Sequence, residues 1–316
     1  MFLAALTGGL LGYSSYAANS AVKAHPPLGR FVEIDGIRMH YLDSAPGESE
    51  RQTIVLLHGA SGNLRDFAFS IFPALAQHFR VVAVDRPGHG YSERPAPVRG
   101  EDWVTPLAQA RLVHGLLEKI NAPHSVMVGH SWAGSVVLAY ALAYPGQTSG
   151  VVMLSAVSQP YRNDPAFHNR WPAIPILGDL FVHTLVAPAF ALVADRSVAR
   201  NFAPNVPPTD YVQRAGLELL IRPGNWRANA EDMRNLAEFL AQQQPRYGEL
   251  QMPVTIIAGE DDRSVRMENH ALRLHQQVAG SKLILLPATG HNPHHAHPDL
   301  VIDVIKDVAQ KTKNPH

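Results

Sequence analysis

Short unbroken runs of apolar residues recur along this chain, separated by stretches in which apolar positions return every three or four residues. The runs cover residues 53–57, 81–84, 126–128, 150–154, 253–258 and 282–286. A run that is apolar at every position predicts a strand covered on both faces, as in a parallel sheet. Helix-type periodicity fills the intervals: 67–75, 105–120, the segment after residue 131, 267–278, and a terminal segment from Pro298. Two alternating stretches, 30–34 and 37–42, flank Asp35-Gly36 and predict an N-terminal hairpin. Strand, helix and strand in repeated succession imply right-handed crossovers and a three-layer α/β fold.

Two segments depart from this rhythm. Residues 2–18, FLAALTGGLLGYSSYAA, are uncharged and mostly apolar, slightly short of the ~20 residues of a spanning helix, and followed by a first basic side chain at Lys23. They read as a membrane anchor or an exported leader, so the protein is expected to be membrane-associated or exported, with a cytoplasmic location as the alternative. From 156 to 226 the alternation stops, prolines and aromatics accumulate, and the helix-like pieces are short. A long insertion of this kind is usually functional, and we read it as a cap. The expected organisation is therefore a leader at 1–24, a core at 25–155 and 227–316, and a cap insertion at 156–226.

Composition narrows the function classes. Of 316 residues, 46% are hydrophobic and 17% charged, enough apolar material for a large core. With 27 basic and 27 acidic side chains and no basic run, nothing points to nucleic acid. The absence of cysteine excludes disulfides, thiolate metal sites and a cysteine nucleophile.

The candidate chemistry lies at the carboxyl ends of the predicted strands, where parallel sheets bind ligands. The run at 126–128 leads into Gly129-His130-Ser131-Trp132-Ala133-Gly134 and then a helix, the context of a nucleophile elbow. Small residues at 129 and 133 permit a sharp turn that presents Ser131 at a helix N-terminus, where negative charge is favoured. Two later loops read Gly259-Glu260-Asp261-Asp262 and Gly290-His291. An acid there can orient an imidazole that takes the serine proton. Glu260 and Asp261 compete with Asp262 for the first role, and His294, His295 and His297 with His291 for the second. No carboxylate or cysteine sits at ligand spacing from those three histidines, so a solvated loop is expected for them and no metal. His58, Asp85 and His89, set among glycines and a proline, read as loop-shaping.

Together these features resemble the α/β-hydrolases, in particular the capped branch of esterases, epoxide hydrolases and haloalkane dehalogenases. The resemblance begins near residue 29 and rests on His58-Gly59, Asp85-x-Pro87-Gly88-x-Gly90-x-Ser92, the 129–134 elbow and the Asp262 and His291 loops. It implies Ser131 as nucleophile, Asp262 as the acid, His291 as the base, and the N–H groups of Ala60 and Trp132 as an oxyanion hole. Trp132, Trp171 and Phe181 are the candidates for substrate contact. Epoxide hydrolases and dehalogenases carry aspartate at the elbow, so Ser131 points to acyl chemistry. The proline that epoxide hydrolases place after His-Gly-x is here Ser61, and a proline common after the acid is here Arg266. The implied activity is cofactor-independent hydrolysis of a small-molecule ester with an apolar acyl group. Carbon–carbon cleavage, amide hydrolysis, perhydrolysis and non-catalytic binding on the same frame are the alternatives.

Overall fold

The computed structural model describes residues 2–94, 104–160 and 166–311. Its centre is one eight-stranded sheet: β1 (Arg30–Ile34), β2 (Ile37–Asp43), β3 (Thr53–Leu57), β4 (Arg80–Val84), β5 (Ser125–His130), β6 (Thr148–Leu154), β7 (Val254–Gly259) and β8 (Lys282–Leu286). The order across the sheet is β1-β2-β4-β3-β5-β6-β7-β8, antiparallel at β1–β2 and β2–β4 and parallel elsewhere. In the β1–β2 hairpin both Asp35 and Gly36 take positive φ, 50° and 79°, the mirror-image turn that matches strand twist. Every residue of β3, β4, β5 and β7 is buried, as their unbroken apolar runs require.

The longer helices are α1 (Phe2–Ala24), α2 (Pro106–Lys119), α3 (Ala133–Ala143), α4 (Leu177–Thr184), α5 (Val186–Phe202), α6 (Pro223–Gln243), α7 (Ala271–Gln277) and α8 (Pro298–Lys311). Thr105 caps α2 by accepting the Ala108 N–H at 2.9 Å, with proline in the first turn where its missing donor costs nothing. α3 is apolar nearly all round because it is buried nearly all round. α8 buries Val301, Ile302, Val304, Ile305, Val308 and Ala309, one stripe at helical spacing, against the opposite face of the sheet.

The structure differs from the sequence reading at three points. The helix expected over 67–75 is two pieces, Arg65–Ala68 and Phe72–Ala76. Ser70 Oγ donates to the Asp66 carbonyl at 2.7 Å, and Pro73 has no N–H with which to continue the ladder. The helix expected over 267–278 is confined to α7. The boundary expected at 226 falls inside α6, which runs without a break through it.

Strands β6 and β7 are neighbours in the sheet, yet the chain between them forms α4, α5, α6 and shorter helical turns; residues 161–165 of the expected cap lie outside the described residues. This insertion rests on the loops at the carboxyl ends of the strands. Asn63 Nδ2 donates to the Ala215 carbonyl at 2.8 Å, Ser264 Oγ to Asn201 Oδ1 at 2.7 Å, and the Gly290 N–H to Asn205 Oδ1 at 2.9 Å.

Residues 2–18 belong to α1, and α1 is packed. Ala17, Ala18 and Ala21 meet Phe181, Val182, Val186, Ala187 and Ile221 of the insertion. The end of the helix is pinned by His25, whose Nε2 lies 3.0 Å from Glu218 and whose carbonyl accepts from Tyr91 Oη at 2.5 Å. No single helix among the described residues is long and apolar enough to cross a membrane. Packing on the insertion accounts for one apolar face of the segment that composition read as an anchor.

Candidate active site

At the end of β5 the backbone turns sharply, and Ser131 takes φ +53°, a left-handed conformation that costs a non-glycine residue energy and marks a functional turn. The turn is tied down on both sides. The Ser131 N–H donates to the Leu154 carbonyl and the Val157 N–H to the Ser131 carbonyl, each at 3.0 Å. A Cβ on Gly129 would stand 2.9 Å from the Ala133 carbonyl oxygen, and one on Gly59 2.9 Å from Ser131 Cβ, so both positions must be bare.

Ser131, His291 and Asp262 meet. His291 Nε2 lies 2.8 Å from Ser131 Oγ, and His291 Nδ1 lies 2.7 Å from Asp262 Oδ2. A carboxylate only accepts, so Nδ1 carries the proton and Nε2 presents its lone pair to the serine hydroxyl. Asp262 Oδ1 accepts the N–H groups of Ser264 and Val265 at 2.8 and 2.9 Å, which fixes the carboxylate. The neighbouring acids that competed in sequence face elsewhere: Glu260 and Asp261 are exposed, whereas Asp262 is buried.

Ala60 follows Gly59, whose Cα lies against the Ser131 side chain, and Trp132 opens α3. Among the described residues no protein acceptor takes the N–H of either. The three candidates for substrate contact are placed differently. The Trp132 indole is buried, with the Arg86 guanidinium 4.3 Å over its ring and Nε1 donating to the Asp232 carbonyl at 3.2 Å. Trp171 is exposed and lies 5.8 Å from the ring of Phe181, which packs among the residues that hold α1. No described contact joins Trp171 or Phe181 to the triad.

The histidines after His291 are not a solvated loop. His294 is fully buried, with Nε2 3.0 Å from Asp66 Oδ2; His295 Nε2 lies 2.7 Å from Asp66 Oδ1, to which Tyr211 Oη also donates at 2.8 Å; and His297 Nε2 lies 2.8 Å from Thr289 Oγ1. The missing partner is Asp66, more than two hundred positions away, which no local spacing could reveal. Burial alone would raise the Asp66 carboxyl, but His294 and His295 beside it hold it well below the usual carboxylate range. Burial, reinforced by Asp66, pushes the Tyr211 phenol well up.

His130 joins this cluster to His291. Its Nε2–H donates to the His291 carbonyl at 2.9 Å, and its ring lies 5.0 Å from His291 and 4.6 Å from His294. Burial, with His294 and His291 adding to it, holds His130 neutral well below the usual histidine range. Ligand atoms of Asp66, His130 and His294 lie within 4.8 Å of one another, so a carboxylate does stand at ligand spacing from a histidine of this group.

A second buried network supports the loop before Ser131. Arg86 Nη1 donates to Asp232 Oδ2 at 2.7 Å and to Gln109 Oε1 at 2.9 Å, and Arg86 Nε to the His58 carbonyl at 2.9 Å. His58 Nε2 accepts the Arg86 N–H at 3.0 Å, leaving the Nδ1–H to donate to the Gly59 carbonyl at 2.8 Å. Burial, helped by the Arg86 charge, lowers His58 to about 3, so this tautomer is neutral. Asp85 accepts from His40, Leu64 and Tyr91 at 2.7, 2.8 and 2.7 Å, the loop-shaping role its setting suggests.

An eight-stranded, mostly parallel sheet with a serine elbow on its central strand and a helical insertion after β6 defines an α/β-hydrolase. The chain belongs to that family: the family pattern described as alpha/beta hydrolase fold matches residues 52–298. It is similar to the uncharacterized hydrolase YugF of Bacillus subtilis, 28% identical over 90% of this chain and 99% of the relative. It is also similar to the 2-hydroxy-6-oxo-2,4-heptadienoate hydrolase of Pseudomonas putida, 26% identical over 84% and 90%. Among solved structures, the enol-lactonase from Burkholderia xenovorans superposes with a TM-score of 0.68 at 20% identity over 89% of this chain and all of that one. A thermophilic esterase from Thermogutta terrifontis does so with a TM-score of 0.68 at 19% identity, over 90% of this chain and all of the other.

Proposed function

We propose that this α/β-hydrolase is a serine esterase acting on carboxylic esters of small to medium apolar acids. The observation that carries the reading is the continuous relay from Ser131 Oγ through His291 to Asp262, at 2.8 and 2.7 Å. Ser131 Oγ attacks the ester carbonyl while its proton passes to His291 Nε2. Asp262 holds the imidazole in the required tautomer and stabilises the imidazolium. The N–H groups of Ala60 and Trp132 receive the oxyanion, each worth on the order of 3 kcal/mol to the transition state. His291 returns the proton to the departing alcohol, and water, activated by His291, then releases the acid from Ser131. The 156–226 insertion, resting on the strand-end loops, serves as the cap under which the acyl group lies.

Carbon–carbon bond hydrolysis is the second reading, since the names of several relatives describe hydrolases of oxo-dienoates. Such substrates carry a carboxylate that needs a cationic partner. Near the elbow, Arg86 and Arg94 are both committed to Asp232, at 2.7 and 2.8 Å, which favours a neutral ester. A panel of p-nitrophenyl esters of increasing chain length, run beside a 2-hydroxy-6-oxo-dienoate, separates the two. Ester turnover that exceeds dienoate cleavage is expected; dienoate cleavage alone would reverse the assignment, and fluorophosphonate labelling with no turnover of either would favour a binding protein.

A further inference from the structure

The oxyanion reading leaves open what aims the Ala60 N–H. That N–H lies in the plane of the Gly59–Ala60 peptide, opposite the Gly59 carbonyl. The carbonyl is held from one side by His58 Nδ1–H at 2.8 Å and by Arg86 Nη2 at 3.3 Å, so this plane is fixed. The next plane is a separate problem. Ser61 has an N–H that needs an acceptor, and Ser61 also takes φ +60°, a conformation unfavourable for a residue with a Cβ. Without an acceptor for its N–H, the Ala60–Ser61 peptide would be free to turn and carry Ala60 with it.

The acceptor comes from the cap-side helix. Asn229, buried on α6, accepts the Ser61 N–H with Oδ1 at 2.7 Å, and Ser61 Oγ stands 3.4 Å from the same atom. Asn229 is itself held by a hydrogen bond with His89, which burial and the Arg86 charge keep neutral. Asp232 lies three residues on, hence on the same face of α6. It anchors Arg86, which holds the Gly59 carbonyl, and its own carbonyl receives the Trp132 indole. One face of α6 thus reaches the neighbours of both N–H donors.

We propose that Asn229 is a positioning residue for the oxyanion hole: by accepting the Ser61 N–H it locks the peptide after Ala60 and makes the aim of the Ala60 N–H depend on the seating of α6. This rests on the esterase reading above. Asn229 makes no described contact with Ser131, His291 or Asp262, so its removal is expected to act through the loop that carries Ala60.

The test compares Asn229→Leu, which keeps the side-chain shape and removes the acceptor, with Asn229→Asp, which keeps an acceptor oxygen; Asn229→Ala carries the same expectation as Leu and serves if Leu does not fold. For Leu we expect kcat on the best p-nitrophenyl ester to fall roughly tenfold to a hundredfold, less than deletion of a donor, with KM within about twofold. The pH–rate inflection should stay in place, because His291 is untouched, and amide hydrogen exchange should rise across residues 58–64. Asp should keep the exchange protection of the wild type. A folded Leu or Ala variant with wild-type kcat, or with unchanged exchange across 58–64, would overturn the proposal. A wild-type protein that turns over no ester would instead count against the esterase reading, while the exchange comparison would still report whether Asn229 holds this loop.

Discussion

Replacing Asp66 with Ala should destabilise the protein far more than its place on a four-residue helix suggests. The side chain is buried and accepts at three points: His294 Nε2 at 3.0 Å, His295 Nε2 at 2.7 Å and Tyr211 Oη at 2.8 Å. Truncation orphans all three donors. A buried unsatisfied polar group costs about 1–3 kcal/mol, giving a simple sum of roughly 3–9 kcal/mol. Members of one network do not add, and water can enter the space left by the carboxylate, so about 3–5 kcal/mol is the working figure. For a protein of this size the loss should lower Tm by about 5–10 °C. Urea unfolding followed by tryptophan fluorescence gives the free energy directly. His294→Phe in the Asp66→Ala background should then cost less than it does alone, because its partner is already gone. A loss below about 1 kcal/mol for Asp66→Ala, or full additivity in that cycle, would refute the network.

Three further outcomes follow from the same geometry. Burial lowers His58 to about 3 and His270 to about 4, so between those values and about 6.5 the unfolded chain binds protons that the folded one refuses; stability should fall on acidification from pH 6.5, by up to about 1.4 kcal/mol per pH unit for each histidine. Asp66, whose depressed carboxyl loses its contribution only as pH falls through its lower folded value, plays no part above about pH 4, and equal unfolding free energies at pH 7 and pH 5 would contradict the assignment. Removing residues 2–24 should expose Val182, Val186 and Ile221 and lower Tm while Ser131 still labels, since α1 packs on the insertion and not on the triad; an unchanged Tm would mean those contacts contribute nothing. EDTA should leave ester hydrolysis intact, and strong inhibition restored by added zinc would make Asp66, His130 and His294 a metal site.

The sequence was most informative where burial acts on consecutive residues. Unbroken apolar runs marked β3, β4, β5, β6 and β7, because a strand covered on both faces has no polar side to interrupt it; β8 carries such a run too, but at the edge of the sheet only Leu286 of it is buried. The strand-end loops were legible for a related reason: Gly59 stands against Ser131 and Gly129 against Ala133, and only a narrow set of residues fits such close approaches. What the sequence hid was contact between distant segments. Asp66 reads as an unremarked acid beside Arg65 until Asp66 is seen against His294 and His295. Asn229 sits in a helix that the apolar pattern did not announce, since α6 is mostly polar and is held by Asn229, Asp232 and the arginines around it. The leader-like composition of residues 2–18 did not reveal that one face of α1 packs on the insertion, because an alanine-rich packing face and an anchor draw on the same residues.

Ser131 is the residue on which the proposed chemistry turns. Wild-type protein and Ser131→Ala, the latter shown to be folded by circular dichroism, should be treated with a fluorophosphonate and their intact masses measured, with turnover of the best p-nitrophenyl ester recorded alongside. Loss of a hydroxyl at this turn should change stability by no more than about 1 kcal/mol. The wild type should gain one adduct, mapped to the peptide carrying Ser131, and lose its activity in proportion. Ser131→Ala should gain none and turn over on the order of a thousandfold more slowly. An adduct on another residue, or wild-type turnover by folded Ser131→Ala, would place the chemistry elsewhere and contradict the account.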